Sequence, residues 1–122
     1  MVDDDPDLLT LVEMQLRHRG HKVLTASSGP DALRLVGEHG APDVAVLDVA
    51  MPGMNGLDLL RELRMREGLG GLPAIFLSAR VGPDDVAAGQ AMGAIYLTKP
   101  YVMNALLRAI DGALHTEPAS GW

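Results

Sequence analysis

At 122 residues the chain is long enough for one well-buried core and too short for two ordinary ones. Apolar residues make up 48% and charged residues 21%, a globular balance, and the only aromatics are Phe76, Tyr96, Tyr101 and Trp122, so Leu, Val, Ala, Met and Ile must build the core. The absence of cysteine excludes disulfides, thiolate zinc sites and Cys nucleophiles, and a net charge of −6, from 16 acids against 10 bases, argues against nucleic-acid binding.

Asp5-Pro6 reads as a helix start, an Asp cap followed by Pro at the first helical position. Leu8, Leu9, Val12 and Leu16 continue with helical spacing until Gly20 stops the run. His21 to Ala26 reads as a short strand around Val23 and Leu24. Ser28-Gly29-Pro30-Asp31 opens a second helix with Ala32, Leu33 and Val36 as its inner stripe, ended by Gly40. Val44 to Leu47 is apolar on both faces, as in a strand buried in a parallel sheet, and it ends at Asp48. After the loop Met51-Pro52-Gly53-Met54-Asn55-Gly56 a helix turns Leu57, Leu60 and Leu63 inward. Gly68 to Gly71 is a turn. Ala74 to Leu77 is a second buried strand, ending at Ser78. Asp84 to Met92 is a helix of small residues, and Ile95 to Thr98 a last strand before Lys99-Pro100. Val102, Ala105, Leu106, Ala109, Ile110 and Ala113 form the apolar stripe of a closing helix; 116–122 reads as a tail or the start of a linker.

No apolar run approaches the ~20 residues of a membrane helix. Acids, not a basic stretch followed by an apolar one, open the chain, so neither a membrane span nor a signal peptide is expected and the expected compartment is the cytoplasm.

Alternation of apolar strands with helices predicts an α/β domain with a parallel sheet covered on both faces. In such sheets chemistry gathers beyond the carboxyl ends of the strands. Those ends carry Asp3, Asp4 and Asp5, then Asp48, Ser78 and Lys99, the last one of only two lysines in the chain. Clustered carboxylates resist ionisation unless a cation lies among them. Oxygen ligands without His or Cys favour Mg²⁺ or Mn²⁺. An Asp beside such an ion is able to attack a phosphoryl group and form an acyl phosphate, with a lysine and a hydroxyl steadying the phosphoryl oxygens. Taken singly each residue has an ordinary role: Asp5 a helix cap, Ser78 a cap, Lys99 a solvated charge. It is their joint placement that points to chemistry.

Five segments in order then carry a family resemblance: Val2-Asp3-Asp4-Asp5-Pro6; Val46-Leu47-Asp48 with Met51-Pro52-Gly53-Met54-Asn55-Gly56; Phe76-Leu77-Ser78-Ala79; Gly93-Ala94; and Tyr96-Leu97-Thr98-Lys99-Pro100. From residue 2 to about 115 the chain resembles a response-regulator receiver domain, the CheY-like phospho-acceptor module of two-component signalling. The resemblance implies a flavodoxin-like (βα)5 domain over 1–115 whose five-stranded sheet has the order 2-1-3-4-5. It implies that Asp48 is the phosphorylated aspartate. Mg (or Mn) would be held by Asp4 directly, by Asp3 through water, by Asp48 and by the backbone carbonyl of Ala50. Ser78 would swing toward the phosphoryl group, Lys99 would pair with it across a cis Lys99-Pro100 peptide, and Tyr96 would be the switch aromatic. Ala50 and Arg80 would sit where the family tunes dephosphorylation. The implied partners are a sensor histidine kinase or phosphotransfer protein, with a homodimer or an output domain beyond the tail. Catalysis would be limited to the domain's own phosphorylation and dephosphorylation.

The chain departs from the family pattern in two places. Only Met1 and Val2 precede Asp3, so the first strand is expected to be truncated: the natural chain begins earlier, the strand is a stub, or another chain supplies it. Gly93-Ala94-Ile95-Tyr96 is one residue shorter than the usual spacing, which bears on the orientation of Tyr96. The rival reading is a pseudo-receiver, the same fold used as an unphosphorylated interaction module. An aspartyl phosphohydrolase would need an acid at position 50, where Ala stands. A flavodoxin-type cofactor binder would need a hydroxyl-rich loop where Asp3, Asp4 and Asp5 stand, and a Gly-Lys-Ser/Thr phosphate loop is also missing.

Overall fold

Side-chain caps fix where the helices begin. In the computed structural model, which describes residues 1–49, 53–66, 69–78, 83–99 and 103–114, the Asp5 carboxylate accepts the amides of Asp7 (3.0 Å) and Leu8 (3.3 Å) and opens α1 (Pro6–His18). Ser28 accepts the Asp31 amide and opens α2 (Gly29–His39), which ends at Gly40 in a left-handed conformation, φ +92°, that favours glycine. Asn55 accepts the Asp58 amide at 2.9 Å and opens α3 (Gly56–Arg64). Asp7, Asp31 and Asp58 each lie in a first turn, where a negative charge meets the positive end of the helix dipole. The remaining helices are α4 (Pro83–Ala91) and α5 (Met103–Leu114).

Strands β1 (Ala45–Asp48), β2 (Ala74–Ser78) and β3 (Ile95–Thr98) pair in parallel in the order β1-β2-β3. The strand expected over His21 to Ala26 is reduced to a single parallel bridge, and so is the segment before Asp3: Val2 bridges Ala26 on one side and Leu47 on the other. The described residues thus hold three strands and a one-residue joint in place of five strands. The physical reason is the lack of a ladder partner, since only Met1 to Asp3 lie alongside the 21–26 segment. Ala26 exchanges hydrogen bonds with Met1 and Asp3 at 3.0 and 3.2 Å, and the expected strand residue Leu24 stays 39% exposed. Residues 21–24 and 44–47 line a cleft of about 560 Å³ together with Met1 and Val2.

Alternate strand residues feed two apolar layers, one on each face of the sheet. Leu47, Phe76 and Ala74 pack with Ala32 of α2 and Leu59, Leu60 and Leu63 of α3; Val46, Ile75 and Leu77 pack with Val12 and Leu16 of α1 and Leu106, Leu107 and Ile110 of α5. Each buried Val, Leu, Ile or Phe among them stabilises the fold by about 1.5–3 kcal/mol relative to exposure. Two helices each bury a residue outside their expected stripes. In α3 Leu59 is buried beside Leu60 and Leu63 with Leu57 half-buried; in α5 Leu107 is buried beside Leu106 and Ile110, while Ala105 is exposed. Arg64 closes the far end of this layer, donating to the carbonyls of Leu72 (2.9 Å) and Met92 (2.6 Å). Among the described residues no helix is long and apolar enough to cross a membrane.

Candidate functional site

Parallel pairing brings the strand ends to one rim. Asp48 is the last residue of β1 and Ser78 the last of β2, and Lys99 directly follows β3. Backbone bonds hold each in place: the Lys99 amide donates to the Ser78 carbonyl at 2.7 Å and the Asp48 amide to the Val2 carbonyl at 2.8 Å. Since Asp3 follows Val2 directly, the joint delivers it to the same rim although it precedes the sheet by more than forty residues.

Five of the expected residues, Asp3, Asp4, Asp48, Ser78 and Lys99, meet there. Asp3 and Ser78 are buried, Asp48 is 3% exposed, and Asp4 is exposed. One carboxylate oxygen each from Asp3, Asp4 and Asp48 lies within 4.8 Å of the others. The Lys99 ammonium reaches into this group, 2.8 Å from Asp3 Oδ2 and 3.6 Å from Asp48 Oδ2. Asp3 Oδ1 also accepts the Asp5 amide at 3.0 Å. Burial by itself lowers the pKa of Lys99, but its hydrogen bond to Asp3 and the charges of Asp3 and Asp48 outweigh this, and the pKa is raised above the ordinary lysine value.

Three carboxylates against one ammonium leave the group electron-rich, and every donor is a hard oxygen. That donor set fits a small divalent cation such as Mg²⁺, which binds through one or two carboxylates and keeps several waters. Tyr96 lies on β3, half-buried, its ring centroid 6.3 Å from that of Phe76 and tilted by 54°. The Ala50 carbonyl, Arg80, and Pro100 with its peptide bond lie outside the described residues.

Gly56 belongs to the site's framework, though its sequence position drew attention only as part of a loop. A Cβ built there would fall on the Asp48 carbonyl oxygen, and its own amide donates to the Val49 carbonyl at 3.2 Å. The start of α3 therefore folds directly over the end of β1. The Asn55-Gly56 pair at a helix start was the available signal.

The family model for the response regulator receiver domain matches residues 1–111. The chain is 39% identical over 121 residues to the transcriptional regulatory protein KdpE of Mycobacterium tuberculosis, covering 98% of this chain and 52% of that protein. It is 40% identical over 114 residues to the transcriptional regulatory protein AfsQ1 of Streptomyces coelicolor, covering 90% and 49%. The chain thus spans about half the length of these two relatives. Among solved structures, the chemotaxis protein CheY4 of Vibrio cholerae superimposes with a TM-score of 0.84 at 31% identity, covering 93% of this chain and 94% of that one. A response regulator receiver domain protein from Clostridium thermocellum gives 0.82 at 32% identity, covering 93% and 90%. With the CheY-like parallel α/β fold and this match over nearly its whole length, the chain belongs to the family of response regulator receiver domains.

Proposed function

We propose that this receiver domain accepts a phosphoryl group on Asp48 from a sensor histidine kinase or phosphotransfer protein, in a Mg²⁺-dependent reaction, and thereby switches a partner-binding surface. The observation that carries the reading is the Lys99 ammonium set between Asp3 and Asp48 within a group of three carboxylates. In the transfer an Asp48 carboxylate oxygen attacks phosphorus, the bond from phosphorus to the donor imidazole nitrogen breaks, and the imidazole leaves with the electron pair. Asp48 then carries an acyl phosphate. Lys99 is close enough to Asp48 to neutralise an added phosphoryl oxygen, and the Ser78 hydroxyl, on the neighbouring strand end, supplies a hydrogen bond to another. A divalent ion bound by Asp3, Asp4 and Asp48 would supply further charge neutralisation as the phosphoryl group arrives.

The phosphoryl group adds about 1.5–2 negative charges, enough to bias a bistable element. Tyr96, half-buried on the edge strand, is that element's aromatic. The domain acts on no substrate besides itself, works in the cytoplasm, and signals through a second copy or through an output domain. The placement of Val2 between Ala26 and Leu47 supports the five-position sheet order 2-1-3-4-5, with the first two positions one bridge wide.

The test is intact-mass spectrometry after incubation with acetyl phosphate. A gain of one phosphoryl group is expected with Mg²⁺, none with a chelator, and none in Asp48→Asn. No gain with Mg²⁺ present, and no Asp48-dependent spectral change with beryllofluoride and Mg²⁺, would favour the pseudo-receiver reading instead.

A further inference from the structure

Gly89 lies in the last turn of α4, outside the left-handed region, so backbone conformation does not call for a glycine there. Helix propensity disfavours it relative to Ala. Space explains it. A Cβ at this position would lie 2.9 Å from Tyr96 Cδ2 and 3.2 Å from Phe76 Cδ2.

Only one of the three parties is placed to yield. Phe76 is buried on the middle strand, locked in the layer with Leu59 and Leu60. The end of α4 is tied down: the Gly89 carbonyl accepts the amides of Met92 and Ala94, both at 3.2 Å, and the Met92 carbonyl is gripped by Arg64 at 2.6 Å. Tyr96 is half-buried on the edge strand β3, with solvent on one side.

We infer that the absent side chain of Gly89 is the seat of the Tyr96 ring, and that this position sets the balance between the ring's inward and outward placements. Gly89 is a positioning residue acting through Tyr96. Any side chain on it turns the ring outward and changes the surface presented by β3, with or without phosphate on Asp48. The importance of that surface for signalling rests on the function proposed above; the steric relation does not.

The experiment uses protein carrying 3-fluorotyrosine in a Tyr101→Phe background, so that the single ¹⁹F signal reports Tyr96. With a soluble gadolinium chelate, Gly89→Ala is expected to increase the solvent broadening of that signal several-fold. Melting of the same variant is compared with and without Tyr96→Ala. Gly89→Ala is expected to change Tm more favourably in the Tyr96→Ala background, where only the 3.2 Å approach to Phe76 remains, than where Tyr96 is present. Unchanged broadening, or an equal change in Tm in both backgrounds, would overturn the inference. Neither readout requires phosphorylation, so a failure of Asp48 to accept phosphate is distinguishable from a failure here.

Discussion

Lys99 Nζ stands 2.8 Å from Asp3 Oδ2, nearer than to Asp48 at 3.6 Å, so the ammonium's first partner is the buried carboxylate ninety-six positions earlier in the chain. Removing one member of such a pair leaves an uncompensated charge indoors. The side chain of Lys99 is 24% exposed, and solvent screens part of the loss. Lys99→Met is expected to lower stability by about 1–3 kcal/mol, read as the urea midpoint at constant slope, and to slow phosphorylation by acetyl phosphate.

The same pairing sets a pH dependence. Because the folded-state pKa of Lys99 is raised above 10.5, its contribution to stability is fully present below that value and is lost as pH rises through the folded pKa. Melting temperatures measured from about pH 9 upward should fall more steeply for the parent than for Lys99→Met. Parallel curves would disprove the coupling.

Without a bound cation, three carboxylates share one ammonium, and their repulsion is a standing destabilisation. Asp48→Asn removes one charge while keeping the shape. It is expected to raise stability by about 1 kcal/mol in chelator, a few degrees in Tm. Millimolar Mg²⁺ should raise the Tm of the parent more than that of the variant. The check is a pair of calorimetric scans with and without the ion.

Gly56→Ala places a methyl group on the Asp48 carbonyl, where backbone meets backbone and neither side yields easily. The expected loss is about 1–3 kcal/mol, larger than the gain in helix propensity, together with slower phosphorylation as Asp48 shifts. Gly37→Ala, on the exposed face of α2 with space around it, is the control and should raise stability by about 0.5–1 kcal/mol. Equal effects of the two changes would remove the steric argument.

What could be read from the residues alone was whatever is periodic or terminal. Ile95 to Thr98 matches β3 to the residue, and the expected Val44 to Leu47 and Ala74 to Leu77 lie within one residue of β1 and β2, legible because strands buried on both faces are apolar throughout. Asp3, Asp48, Ser78 and Lys99 were legible as a group because parallel strands end on one rim. The strand over His21 to Ala26 was misread because Val23 and Leu24 carry strand propensity, whereas a strand requires a neighbour to pair with. The burial of Leu59 and Leu107 and the preference of Lys99 for Asp3 depend on how layers seat against each other, which spacing within one segment does not encode. The Gly56 contact belongs to the same kind: it is a meeting of two segments, visible only once both are folded.

Val2 joins Asp3 and Asp4 to the end of β1. Its amide donates to Val46 and its carbonyl accepts from Asp48, each at 2.8 Å; when these open together with the Ala26 bonds to Met1 and Asp3 and the Lys99–Asp3 pair, this corner unzips while β1, β2 and β3 stay paired. Hydrogen exchange at the Val2 and Asp48 amides should therefore outpace that in β2, and the two should exchange together. In the unzipped form Asp48 and Lys99 keep their stations while two of the three acids depart. Whatever binds all three selects the fastened form and slows the exchange, so binding at this rim is coupled to the breathing of the first few described residues.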